Sequence, residues 1–213
     1  MAAVKTQRIV ILVITLVLAA GTIFGFLAMI LSQKNAVSDK ATLETQYAAY
    51  QAAYADYEAA IAAQATELSN QYFNIFSQYS SRVAVFDSQA VSELKIEDLL
   101  VGNGEKIESN TKYSAYYIGW NPNGKVFDQS ISEGVLLAPL SSDTGFIEGW
   151  TKGVIGMKIG GVRELTIPSN LAYGSKGQGD DIPADTPLKF IVMVIPPVEE
   201  ITAPELSDYI TNF

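Results

Sequence analysis

Six aromatic residues, Tyr117, Phe127, Phe146, Trp150, Tyr173 and Phe190, are spread over five separate stretches of the C-terminal half of the chain. A carboxylate, Asp128, follows Phe127 directly, just after the turn signal Asn121-Pro122-Asn123-Gly124. Aromatic side chains are most often ordinary core. Two features set this group apart. Tyr117 and Tyr173 carry hydroxyls that need partners when buried, and Asp128 sits where it can face the same cavity as the rings. The 213 residues include no cysteine and no histidine. That excludes a Ser-His-Asp triad, a thiol nucleophile, a disulfide framework and thiolate metal sites, and it removes the commonest metal ligand. Any chemistry here proceeds without imidazole or thiolate, and no metal or cofactor is expected.

Other motifs carry less. Ser92-Glu93-Leu94-Lys95 matches the serine-lysine pattern S-x-x-K, but its companion motifs are missing. Asp180, Asp181 and Asp185 cluster near Gly177 and Gly179 without the ordered spacing of an EF-hand calcium loop, which reads as a solvated acidic loop. The formal charge of -9 argues against a nucleic-acid partner, because a phosphate backbone calls for a basic face.

The elements that must position these residues follow from pattern. Residues 94–196 hold short alternating apolar runs separated by turn signals such as Gly102-Asn103-Gly104 and Gly160-Gly161. Tyr113, Ala115 and Tyr117 share one face of a strand, as do Leu188, Phe190, Val192 and Val194. Residues 146–158 hold room for one short helix. The expectation is an α+β domain with a half-buried, mostly antiparallel sheet. Residues 80–93 read as a connector and residues 197–213 as an acidic tail.

Residues 38–79 are rich in Ala, Gln, Tyr and Glu with no Gly or Pro, a composition that favours a long helix. Leu43, Tyr47, Tyr50, Tyr54, Tyr57 and Ile61 alternate steps of four and three, a seam of heptad positions. Two readings stay open. The seam pairs with a second copy in a coiled-coil stalk, giving a homodimer, or the helix folds against its own domain.

Residues 9–31 contain no charge, and at 1.5 Å per residue they would span about 34 Å, enough for a bilayer core of roughly 30 Å. A cleaved signal peptide is the rival, but the run is longer than a signal core and lacks a clear small-residue cleavage site. Mean hydropathy of +0.17 beside the acidic charge fits an apolar segment joined to an acidic one. Lys5 and Arg8 precede the run, which favours residues 1–8 as a cytoplasmic N-terminus. The expectation is a single-pass membrane protein, N-terminus inside, with the catalytic domain extracytoplasmic. Gly21 and Gly25 form a G-x-x-x-G that could bring two such helices together.

Several blocks in residues 94–196 resemble FK506-binding-protein-type (FKBP-type) prolyl isomerases. They are Tyr116-Tyr117-Ile118-Gly119, Gly124-Lys125-Val126-Phe127-Asp128-Gln129-Ser130, Phe146-Ile147-Glu148-Gly149-Trp150 and Ile167-Pro168-Ser169-Asn170-Leu171-Ala172-Tyr173-Gly174. Ile182-Pro183 and the run 188–195 continue the match in order. The resemblance implies a bent antiparallel sheet wrapped around one short helix, with an apolar pocket between them. It implies Trp150 as the floor under a proline ring, with Tyr117, Phe127, Phe146 and Phe190 as walls. It implies the Ile147 backbone N–H and the Tyr173 hydroxyl as donors to carbonyls, Asp128 near the reacting imide beside the Tyr117 hydroxyl, and Ile182 on a flap loop. The chain departs from the family pattern at several points. Leu137 stands where an aromatic wall is common, and Phe146 where a smaller aliphatic is common. Gln178 and Asp181 lie in a flap that is usually more apolar, and Glu133 takes a position where a basic residue can pair with the motif aspartate.

The resemblance implies cis/trans isomerisation of Xaa-Pro bonds in proteins outside the membrane, assisting their folding. A membrane-tethered proline-peptide-binding or chaperone module with little turnover is the alternative, and a structural anchor built on the Ala/Tyr helix is a third reading.

Overall fold

A computed structural model describes residues 36–210 of the chain. They form two compact units, one drawn from residues up to Ala59 and from Thr202 onward, the other comprising Ala60–Ile201. Helix α1, Ala36–Phe76, contributes to both. Its 41 residues lack Gly and Pro, and its Ala-rich composition has little propensity cost to overcome.

In the first unit the seam on α1 is a ladder of rings. Tyr47 and Tyr50 lie 6.4 Å apart between centroids, Tyr50 and Tyr54 6.0 Å, and Tyr54 and Tyr57 5.5 Å. Steps of three and four along a helix place neighbours on one face. The C-terminal tail covers part of that face. Tyr209 meets Tyr50 edge-on at 5.9 Å, and Leu43 and Ile210 are buried in one small cluster with Leu206 and Tyr209. Part of the seam that suggested a coiled coil is thus occupied by the chain's own tail.

The second unit is built on an antiparallel sheet. Its strands are β1 (Lys95–Leu100), β2 (Ser114–Trp120), β3 (Val126–Gln129), β6 (Leu140–Ser141), β7 (Val162–Ile167) and β8 (Leu188–Ile195). Their order is β1-β7-β8-β2-β3, with β6 also paired to β2. A separate two-stranded piece joins β4 (Ile131–Ser132) to β5 (Val135–Leu136). The short helix α2 is Glu148–Val154.

Period-two alternation divides the strands between two faces. Ala115, Leu165, Ile167, Leu188, Phe190, Val192 and Val194 join Trp150 and Val154 of α2 in one cluster. Tyr116, Ile118, Trp120, Val162, Ile191, Met193 and Ile195 join Phe76 and Leu136 in another, against which Leu68, Tyr72 and Phe73 of α1 and then Tyr79, Val83 and Phe86 pack. The sheet is therefore covered on both faces, where a half-buried sheet was expected from pattern. The cause is the end of α1 and the segment after it, which supply an apolar layer from outside the strand region.

Helix α2 approaches the sheet closely because two residues of one face have no side chain. A Cβ on Gly149 would stand 2.2 Å from Ile167 Cγ2, and one on Gly153 2.6 Å from Leu165 Cδ2. The C-terminal end of α2 is held by the buried Arg163. Its Nη1 donates to the Gly153 carbonyl at 2.7 Å and the Ile155 carbonyl at 3.1 Å, while Nε and Nη2 donate to Asp98 at 2.6 and 3.1 Å. A fixed cation there satisfies carbonyls that the helix leaves open.

The expected localisation is corrected. Among the described residues no helix is long and apolar enough to cross a membrane. The proposed span, residues 9–31, its flanking residues 1–8 and the Gly21–Gly25 pair lie outside the described residues. The single-pass placement with an extracytoplasmic isomerase domain is withdrawn.

Candidate active site

Trp150 is the centre of the aromatic group. It lies in the first turn of α2, directly on the sheet, and is 2% exposed. Three rings surround it. Phe146 stacks on it at 4.7 Å between centroids with the planes 7° apart. Tyr117 from β2 and Phe190 from β8 meet it edge-on at 5.7 and 5.5 Å. Phe127 from β3 meets Phe190 edge-on at 5.6 Å. These separations are those at which aromatic pairs attract beyond their buried area. The meeting of Phe127 and Phe190 requires Gly119 on β2. A Cβ there would lie 2.6 Å from Phe190 Cε1 and 2.7 Å from Phe127 Cζ.

Polar groups ring the edge. The Tyr117 hydroxyl donates a hydrogen bond to the exposed Asp128 carboxylate, whose other oxygen accepts from the Gln129 N–H at 2.9 Å. Burial, and then the bond to Asp128, hold the Tyr117 hydroxyl well above the usual tyrosine range. Tyr173, half-buried just beyond the turn Ser169–Leu171, is raised by burial first and by the Asp128 charge second. Register fixes Asp128: Ser130 Oγ accepts from the Tyr117 N–H at 3.0 Å, and the Ser130 N–H donates to the Tyr117 carbonyl at 2.8 Å. Ile147 stands immediately before α2 in an extended conformation. Ile182, 3% exposed, belongs to the same cluster.

The residues singled out in the sequence are thus mostly brought together. Tyr117, Phe127, Phe146, Ile147, Trp150, Tyr173, Ile182 and Phe190 share one cluster, and Asp128 joins through Tyr117. Leu137 does not. It is 37% exposed and lies in no cluster with Trp150.

Sequence reasoning placed Tyr113 on a strand face but gave it no part in the site, where its hydroxyl accepts from the Trp150 indole N–H at 3.4 Å. Its signal was present, because Tyr113 alternates in phase with Ala115 and Tyr117. It also missed Asn121, a buried amide just past the end of β2, which no alternation marks.

The family model for FKBP-type peptidyl-prolyl cis-trans isomerases matches residues 103–195. An FK506-binding protein of Neisseria meningitidis serogroup A is 39% identical over 108 residues, covering 49% of this chain and 96% of that protein. The chain belongs to the FKBP-type peptidyl-prolyl cis-trans isomerase family. FK506-binding protein 4 of Rhizopus delemar is 42% identical over 102 residues, and its namesake in Dictyostelium discoideum 43% over 107. The chain spans only 26% and 28% of those two proteins, and the match takes in 48% and 49% of this chain. The FKBP-type match begins beyond β1, so α1 and β1 lie outside it. Every residue of the aromatic group lies within it.

Proposed function

We propose that this chain catalyses cis/trans isomerisation of Xaa-Pro peptide bonds and thereby assists the folding of proline-containing polypeptides. The observation that carries this reading is the Tyr117–Asp128 pair set at the edge of rings gathered on Trp150. In this reading Trp150 lies under the proline ring, and Tyr117, Phe127, Phe146 and Phe190 enclose it. The Ile147 N–H and Tyr173 hydroxyl donate to carbonyls of the peptide, Asp128 lies beside the reacting imide, and Ile182 closes over it. Leu137 has no part in this reading.

The chemistry suits such a site. Amide resonance sets a rotation barrier of about 18–20 kcal/mol, and uncatalysed X-Pro exchange takes roughly tens to hundreds of seconds. The twisted transition state has lost resonance and some charge separation, so surroundings less polar than water favour it over the planar form. Donors fixed for the rotated carbonyl add to this, and each ~1.4 kcal/mol gained is about tenfold in rate. No covalent bond is made or broken, so neither histidine nor cysteine is needed.

Binding of proline-containing peptides with little turnover is the second reading. A protease-coupled assay on a Xaa-Pro peptide separates the two. Acceleration by the full chain supports the enzyme. Peptide-dependent quenching of tryptophan fluorescence without acceleration supports the binder.

A further inference from the structure

The flap departs from the family pattern at Gln178 and Asp181, and both residues are engaged. The Gln178 N–H donates to the Ile182 carbonyl at 2.7 Å, closing the loop on itself. Asp181, one residue before Ile182, is held from two sides by the turn between β2 and β3. The Asn121 side-chain amide donates to its carbonyl at 2.9 Å, and Lys125 pairs with its carboxylate. Asn121 is 6% exposed, and besides the bond from Nδ2 to Asp181 its Oδ1 accepts from the Asn123 and Lys125 N–H groups at 3.1 and 3.2 Å. One buried side chain therefore refers two loops to a common point. Lys125 lies two residues before Phe127, and Asp181 one before Ile182.

We propose that Asn121 is a positioning residue that locks the loop carrying Ile182 to the turn leading into Phe127, and that this lock sets how strictly the site discriminates among the residues that precede proline. The proposal rests on the isomerase reading. A wall that cannot yield penalises side chains that do not fit it, whereas a loosened wall accommodates them at similar rates. The amide is the principal part of the lock. Lys125 and Asp181 have side chains 58% and 39% exposed, and exposed pairs contribute little and are screened by salt. A buried amide stripped of one partner leaves a carbonyl unsatisfied, which costs more.

The test uses the full chain with Asn121→Asp, which keeps the shape and the acceptor but loses the donor to Asp181. Amide hydrogen exchange and kcat/KM on Gly-, Ala-, Leu- and Phe-Pro peptides are measured together. The expected result is exchange at Gln178 faster by about tenfold with the β2–β8 amides unchanged, and a spread of kcat/KM across the four peptides narrowed about threefold. Lys125→Met should change both by less than about twofold. Asn121→Ser, whose hydroxyl still accepts from the turn but does not reach Asp181, must reproduce the Asn121→Asp pattern and takes its place if that variant does not fold. Unchanged exchange at Gln178 overturns the lock. Faster exchange with an unchanged spread overturns its role in discrimination, and loss of protection throughout β2–β8 makes Asn121 a residue of the fold alone. If the wild-type chain accelerates none of the peptides, the isomerase reading and the selectivity claim fall together, while exchange at Gln178 still decides the lock.

Discussion

The two faces of the sheet are built from alternate residues of the same strands, and they end differently. Tyr116 and Tyr117 are neighbours on β2 and point to opposite sides. Tyr116 is fully buried between Tyr72 and Phe76 of α1, and its hydroxyl meets no hydrogen-bond partner among the described residues. Tyr117 is half-buried against Trp150, and its hydroxyl donates to Asp128. The first face is sealed by chain from outside the strand region. The second is closed by one short helix and leaves rings and polar groups at an edge. The difference separates stability from function: the sealed face should carry the fold, and the edged face the chemistry.

The largest expected effect breaks the sealed face. Phe76 is 0% exposed, and Phe76→Ala should cost about 3–5 kcal/mol in urea unfolding. Its kcat/KM per folded molecule should match the wild type. A parallel loss of specific activity would show that the two faces are not separable. On the other face, Phe146→Val removes the ring stacked on Trp150. Aromatic contacts contribute about 0.5–1.5 kcal/mol, and Phe146 is a wall of the proposed pocket, so a Xaa-Pro peptide should bind several-fold more weakly by fluorescence titration. Unchanged or tighter binding would remove Phe146 from the walls.

Tyr116→Phe sharpens the comparison with a smaller change. It removes a buried hydroxyl that has no partner among the described residues, so stability should rise by about 1 kcal/mol. The alkaline limb should change with it. Burial, and then the nearby Tyr72, push Tyr116 up to about 12 from the ordinary 10.0. The folded state therefore holds its proton more tightly than the unfolded chain does. That contribution is complete below about pH 10 and is lost as pH rises towards about 12. Tyr116→Phe should flatten this limb, and an unaltered limb would assign it to other tyrosines.

The smallest expected effect is none. Without histidine or cysteine, and with the Tyr117 and Tyr173 hydroxyls held protonated well above neutrality, kcat/KM should be flat between about pH 6 and 8. A bell centred near neutrality would contradict catalysis by desolvation and fixed donors.

Much of the edged face was legible in the sequence, because its residues lie in local blocks: Phe127-Asp128 after a turn, Phe146 to Trp150 at a helix start, and Tyr113, Ala115 and Tyr117 in alternation. The sealed face was not. Alternation marks which side a strand residue takes, but not that Phe76 arrives from about 40 residues upstream to cover it. The same limit hid Asn121, whose partner Asp181 lies 60 residues away. The tyrosine seam was legible as a seam, yet nothing local showed that Tyr209 and Ile210 would cover part of it.

The most direct measurement is the isomerisation rate of a Xaa-Pro peptide with the full chain, beside Asp128→Ala and Phe127→Ala at matched folded fractions. Catalysis at the edged face predicts clear acceleration by the wild type. It predicts a loss of roughly a hundredfold in kcat/KM for each variant, about 2.7 kcal/mol in the barrier, with unfolding midpoints little changed for Asp128→Ala. Wild-type turnover in both variants, or no acceleration by the wild-type chain, would contradict it.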